Sequence, residues 1–303
     1  MFLRSVFLAT GLVGIVAMPS IANDLFGHVG LSYSLEKNSG NGVNVSGFPN
    51  GEPEDYNNTG ISGEVGTIFD TGVTLVGAVE YEWTDVPSSI DGADVDEGLD
   101  TYGSLIFTFG HSGENSFFGF HAGRGELRFD EADDDQNTVQ NFWGMGYGYD
   151  FGAMAVGASL SQLNIVRGDN LELLDDATFV NFAGLFRPAD SNWSFGGNAY
   201  FGSGTQDAND FPNDNPMDVV GLGVEVSFDG GQVGSLGRMR YTVGYDIVEV
   251  NEESTSGSTE TVTHDRLFVG ISLNFGHAGK PDAIAVAELP NLIWAQSGVA
   301  IVD

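Results

Sequence analysis

The chain has no cysteine. This excludes a disulfide framework and any thiolate metal centre, although an exported protein would be free to form disulfides. Basic residues are scarce as well. Only 10 Lys plus Arg stand against 43 Asp plus Glu, a formal net charge of −33. Such a surface repels phosphate backbones, so nucleic acid is excluded as a partner. It gives no electrostatic attraction to anionic lipid either. The five histidines (His28, His111, His121, His264 and His277) are scattered, and no two have metal-ligand spacing. His121 has many serines for company, but no nucleophile elbow marks a catalytic pair, so the expectation is no enzyme and no cofactor.

Long apolar runs are missing too, with one exception. Arg4 supplies a positive start, residues 7–18 are apolar, and Ser20-Ile21-Ala22 is a small-x-small cleavage site. The run is too short to span a bilayer, so residues 1–22 read as a signal peptide cleaved before Asn23. No later segment reads as a transmembrane helix.

What the chain does have is glycine, aromatics and a period of two. There are 44 glycines, and aromatics make up 12%. In the segment from Arg266 to Phe275, Leu267, Val269, Ile271, Leu273 and Phe275 share one face. Gly270, Ser272 and Asn274 share the other, with Phe268 the apolar exception. Side chains alternate across a strand, so this strand has a greasy face and a small, polar face. The same rhythm predicts about twelve strands: 25–35, 61–70, 73–84, 99–110, 115–129, 138–150, 152–165, 177–187, 192–203, 218–229, 237–249 and 262–275. The pattern is clearest where Val220, Leu222, Val224, Val226 and Phe228 oppose Gly221, Gly223, Glu225 and Ser227. It is equally plain where Trp143, Met145, Tyr147 and Tyr149 oppose Gly144, Gly146 and Gly148. That glycine run lies within a strand and lacks dinucleotide-binding spacing; it keeps one strand's inner face small. The fifth strand alternates poorly.

Connections alternate in length. Tight turns such as Asp70-Thr71-Gly72, His111-Ser112-Gly113, Asp150-Phe151-Gly152 and Pro188-Ala189-Asp190 take one side. Long acidic connections (36–60, 85–98, 130–137, 167–176, 204–217 and 251–260) take the other. Long on one rim and short on the other describes an antiparallel meander crossing a membrane. An even strand count places both ends on the short-turn side, and closure then pairs the last strand with 25–35. A secreted β-sandwich or propeller would also alternate. Outward aromatics near strand ends (Tyr81, Trp83, Tyr147, Tyr149, Trp193, Phe275) and glycine on the polar face favour the barrel. The expected fold is all-β, a closed antiparallel up-and-down transmembrane barrel.

Over residues 23–275 the signal segment, the meander, the acidic long loops and the aromatic-ended closing strand resemble Gram-negative outer-membrane β-barrels, porin-like proteins in particular. The resemblance implies the cell outer membrane, lipid around the barrel, and a closing strand read by the barrel-assembly machinery. The chain departs by continuing through residues 276–303, an expected periplasmic tail. That tail contains a Pro281 break, an alanine-rich stretch and Trp294. It either hangs loosely or packs into the barrel mouth with Trp294 as anchor.

The inferred inner face carries the acids Glu64, Glu80, Glu82, Glu126, Glu225 and Asp246, and the bases Arg124, Arg128, Arg238 and Arg240. Charges in lipid are costly, so these need water or opposite partners. They read either as a polarised channel sorting ions or as ion pairs plugging a lumen. Loop acids cluster at Asp133-Asp134-Asp135, at Asp169, Asp175 and Asp176, and at Asp207, Asp210, Asp214 and Asp218. None has the spacing of a calcium loop, but together they concentrate cations at the long-loop mouth. The leading expectation is passive, cation-preferring diffusion of small cations or small polar solutes. The competing one is a non-conducting structural barrel whose loops bind a surface partner or divalent cations.

Overall fold

The computed structural model describes residues 24–40, 54–85, 89–90, 93–94, 99–129, 138–167, 174–206, 216–253, 259–276 and 280–290. The expected signal peptide, Trp294 and most of the loop acids lie outside these residues. Fourteen strands form in chain order: β1 (Asp24–Gly40), β2 (Glu54–Ile68), β3 (Val73–Asp85), β4 (Ser89–Ile90), β5 (Ala93–Asp94), β6 (Leu99–Ser112), β7 (Ser116–Phe129), β8 (Thr138–Asp150), β9 (Met154–Arg167), β10 (Leu174–Phe186), β11 (Trp193–Gln206), β12 (Pro216–Val233), β13 (Gly237–Glu253) and β14 (Thr259–Gly276). Among the described residues one short helix, α1 (Asp282–Ala285), follows these strands. Strands β4 and β5 make a small separate hairpin, and the other strands close one antiparallel barrel. Closure is the pairing expected from the sequence, β1 against β14, with Gly27 opposite Phe275 and Leu35 opposite Leu267.

Most strands follow the predicted bounds within a few residues, and β8 coincides with its prediction. The large difference is β2, which begins at Glu54. Its polar first half pairs with β1 up to Asn38 opposite Glu54. Alternation could not reveal it, because both faces there are polar. On the short-turn side, Gly72 holds a φ of 81°, a conformation that glycine adopts without steric cost.

The outer surface is apolar to a degree water would not tolerate. Phe107, Phe109, Leu222 and Val224 are each more than half exposed, at 57%, 58%, 54% and 60%. Each such side chain left in water forfeits about 1.5–3 kcal/mol of burial energy, and a continuous belt of them marks a lipid-facing wall. Aromatic pairs sit near the belt's rims. Tyr81 and Trp83 stack edge to face at 4.7 Å toward the long loops. Trp193 and Phe228 lie 5.0 Å apart toward the short turns. This is the placement of interfacial girdles.

The inner face departs from the expectation in two ways. First, it is not uniformly small and polar. In the long-loop half, Tyr102, Leu127, Phe142, Leu163, Phe179, Val219 and Val248 belong to one buried apolar cluster inside the wall. Second, the register of β7 turns Arg124, Glu126 and Arg128 outward. They share the face of the exposed Phe118 and Phe120, while Phe117 and His121 point inward and are buried. Arg124 pairs with Leu105, itself an outward residue. Near the long-loop end of β7 these charges lie above the apolar stretch, where Arg128 Nε meets Glu126 Oε1 at 2.9 Å with both side chains about two-fifths exposed.

Candidate functional site: a charged lumen holding the chain's own C-terminal segment

Glu64, Glu80, Glu82, Glu225, Arg238, Arg240 and Asp246 all lie on the inward parity of their strands, Glu64 and Glu82 fully buried. The structure gathers them into two groups. The upper group centres on Arg266 of β14. Its Nη1 lies 3.4 Å from Glu82 Oε1 and donates to the Tyr102 hydroxyl at 3.2 Å. Its Nε lies 4.0 Å from Glu36 and 3.9 Å from Asp246. Its guanidinium also stands 5.0 Å above the Phe268 ring. Glu36 in turn accepts from Ser34 Oγ at 2.8 Å and Asn58 Nδ2 at 2.7 Å, and meets His264 Nε2 at 3.0 Å. Strands β3, β6, β13 and β14 are thereby tied across the interior at one level. A buried guanidinium among carboxylates is stable only when opposite charge and hydrogen bonds offset its lost hydration, and here three carboxylates and the Tyr102 hydroxyl surround it.

The lower group surrounds the C-terminal segment, which lies inside the barrel. Lys280 Nζ sits 2.6 Å from Glu64 Oε2 and also pairs with Glu288. Arg187, just past β10, holds Asp282 at 2.6 Å. The Glu288 carbonyl accepts from Ser159 Oγ at 3.0 Å and Asn181 Nδ2 at 3.3 Å. Ile284 and Ala287 are fully buried, and Ile284 joins Phe26, Val76 and Phe117 in an apolar cluster. The wall makes room with glycine. A Cβ at Gly146 would overlap the Ala287 carbonyl, one at Gly148 the Ala283 carbonyl, and one at Gly157 the Val286 carbonyl. The glycine run of β8 therefore has a partner, and the bare inner face is the seat of the tail.

Beside this segment a cavity of about 740 Å³ runs from the short-turn rim, at Asp229 and Gly237, up to Asp246 and Phe268. Glu225, Arg240, Asn198 and Asn181 line it, along with Lys280 and Glu288. Arg238 is held at its rim by Asp229, 2.9 Å away. Among the described residues, no group of His, Asp and Glu could hold a metal ion.

Sequence reasoning missed Glu36, Arg187, His264, Arg266, Lys280, Asp282 and Glu288. Arg266 was within reach, since it shares the parity of Gly270 and Ser272 on the closing strand. Glu36 fell one residue past the predicted end of the first strand. His264 lies on the same face of that strand as Arg266, whereas Arg187, Lys280, Asp282 and Glu288 depend on where the tail goes.

No protein-family model matches the chain, and no curated protein matches it by sequence. Solved structures do match in shape. An outer-membrane channel of Pseudomonas putida F1 superposes with a TM-score of 0.57, covering 86% of this chain and 97% of that one at 13% identity. The toluene transporter TodX of P. putida superposes at 0.45, covering 85% and 91% at 8% identity. A Pseudomonas aeruginosa FadL homologue superposes at 0.43, covering 84% and 90% at 8% identity. The first likeness is one of fold, and the other two are too loose to carry an argument. Fold and surface together define a closed β-barrel of twelve strands with a lipid-facing wall, the fold of that outer-membrane channel.

Proposed function

We propose that the protein is an outer-membrane channel for passive, cation-preferring diffusion of small solutes, and not an enzyme. The observation that carries this reading is the polar cavity of about 740 Å³ that enters the barrel from the short-turn rim and reaches Asp246. A lipid-facing wall around a charged, water-sized interior is what a diffusion channel requires. The net charge of −33 and the acidic long loops raise the local concentration of cations. In this reading residues 1–22 are removed on export, and the short-turn rim and the tail face the periplasm. The closing strand is the segment that the assembly machinery reads. The pore-lining set is Glu64, Glu225, Arg240 and Asp246, with Glu80 and Glu82 in the charged layer above.

Planar-bilayer recording tests the reading. Stepwise conductance with a reversal potential on the cation side is expected, and the combined Glu225→Gln and Asp246→Asn change should lower the cation-to-anion ratio by roughly threefold. Unchanged selectivity would remove these two residues from the path.

A second reading has its own observation. The side chains around Arg266 and the apolar cluster bridge the interior at one level. A permanently filled barrel would serve as a structural or surface-binding protein and would stay silent in the same recording.

A further inference from the structure

The inner wall contains a built seat for a peptide, and this chain supplies the peptide. The seat has a bare floor where Gly146, Gly148 and Gly157 let the backbone of the segment approach the backbone of the wall. Any side chain there would collide with a carbonyl of the segment, so the fit is specific to a closely apposed backbone carrying small residues. The segment answers with Ala283, Ala285 and Ala287. Two salt bridges fasten its beginning, Lys280 to Glu64 and Asp282 to Arg187. Further along, Ile284 and Val286 are buried, Leu289 packs against the upper apolar cluster, and the Glu288 carbonyl takes two hydrogen bonds from the wall. The helix within it has four residues and no side-chain cap, so it has little stability of its own away from the wall. Gly276, at a φ of 101°, ends β14 and frees the chain to leave the sheet.

We propose that residues 280–290 are a detachable internal plug, which docks in the glycine-floored groove and narrows the short-turn mouth of the lumen. A permanent core element would be enclosed on every side. This one buries Ile284 and Val286 against the wall but lines the polar cavity along Lys280, Ala285, Glu288 and Pro290, and segments open to solvent along one side are among the first to open locally. The inference rests on the channel reading for its consequence, which is gating, but its test does not depend on conductance.

Because the native chain has no cysteine, Ser159→Cys places a unique thiol under the plug. In the folded, reconstituted full chain, a charged, water-soluble maleimide should label this thiol slowly but measurably. In the chain stopped after Gly276, labelling should be faster by roughly tenfold or more. A synthetic peptide of residues 277–303 should restore the slow rate. Should the truncated chain fail to fold, the full chain carrying Lys280→Ala and Asp282→Ala keeps the tail but loses both salt bridges to the wall, and it should label faster as well. Equal rates in all forms would overturn the proposal, because the segment would not be docked. No labelling of the full chain, alongside rapid labelling once the anchors are gone, would also overturn it, because the segment would be a fixed filler. Labelling as expected in barrels that never conduct leaves the plug standing and removes the channel reading.

Discussion

At Arg266 one guanidinium faces Glu82, Asp246 and Glu36, together with the Tyr102 hydroxyl, while its flat face covers Phe268. Removing it leaves buried carboxylates without their cation, the costly half of breaking a buried pair. Arg266→Met should therefore destabilise the folded barrel by about 3–5 kcal/mol, read as a lower midpoint of urea unfolding in detergent or lipid. Arg266→Lys should recover only part of this, since an ammonium cannot make the same forked contacts. A second residue-scale expectation concerns the floor of the groove. Gly146→Leu should leave the barrel folded and expel the tail, giving the rapid labelling of the truncated chain, because the new side chain occupies the place of the Ala287 carbonyl. How far these residues were legible in the sequence depended on context. Glu225 and Asp246 could be placed inside because Val224 and Tyr245 beside them are unmistakably outward. In β7 the neighbours Phe117 and Phe118 are both large and apolar, so nothing local says which faces lipid. The answer lies with Ile284, far along the chain, against whose cluster Phe117 packs.

Among the elements, the C-terminal segment is the one whose docking responds to pH. Burial holds the Glu288 carboxyl above the usual carboxylate range, at about 7, because the Lys280 ammonium beside it is shared with Glu64. Burial also raises Asp282, against the opposing pull of Arg187. Glu64 and Lys280 face Glu288, with His28 behind Glu64, while Arg187, Arg240 and Asp150 surround Asp282. A carboxyl whose docked value lies above its free value favours docking below the free value, and that contribution fades as pH rises through the docked value. Lys280 is shifted up by its two carboxylates and favours docking throughout the range below its ordinary value. The plug should hold more tightly at about pH 5.5 than at about pH 8. The labelling rate of the full chain divided by that of the truncated chain cancels the thiol's own ionisation, and this ratio should rise across that range. Glu288→Gln should flatten most of the rise. The strands were largely readable from alternation, down to the pairing that closes the barrel. The seat of the tail was not, because Ser159 and Glu288, or Glu64 and Lys280, meet only after the whole meander has closed around them.

At the level of the whole molecule, one arrangement accounts for both the composition and the shape. A chain with so few bases and so many exposed Val, Leu and Phe side chains is ill suited to water on its outer wall, and the barrel turns that wall toward lipid. Placing Arg at Leu222 or Val224, in the middle of that wall, should cost about 2–4 kcal/mol of stability in bilayers. The same change at an inward position open to the cavity should cost far less. The lumen is divided between a packed charged layer around Arg266 and a polar cavity shared with the tail. Whether solutes cross that division decides between a channel and a filled barrel. Single-channel recording of the folded full chain and of the chain stopped after Gly276, under a salt gradient, addresses it most directly. A channel gives stepwise currents with a cation-side reversal potential in both, with longer openings in the shortened chain. Folded barrels that carry no current in either form would contradict it.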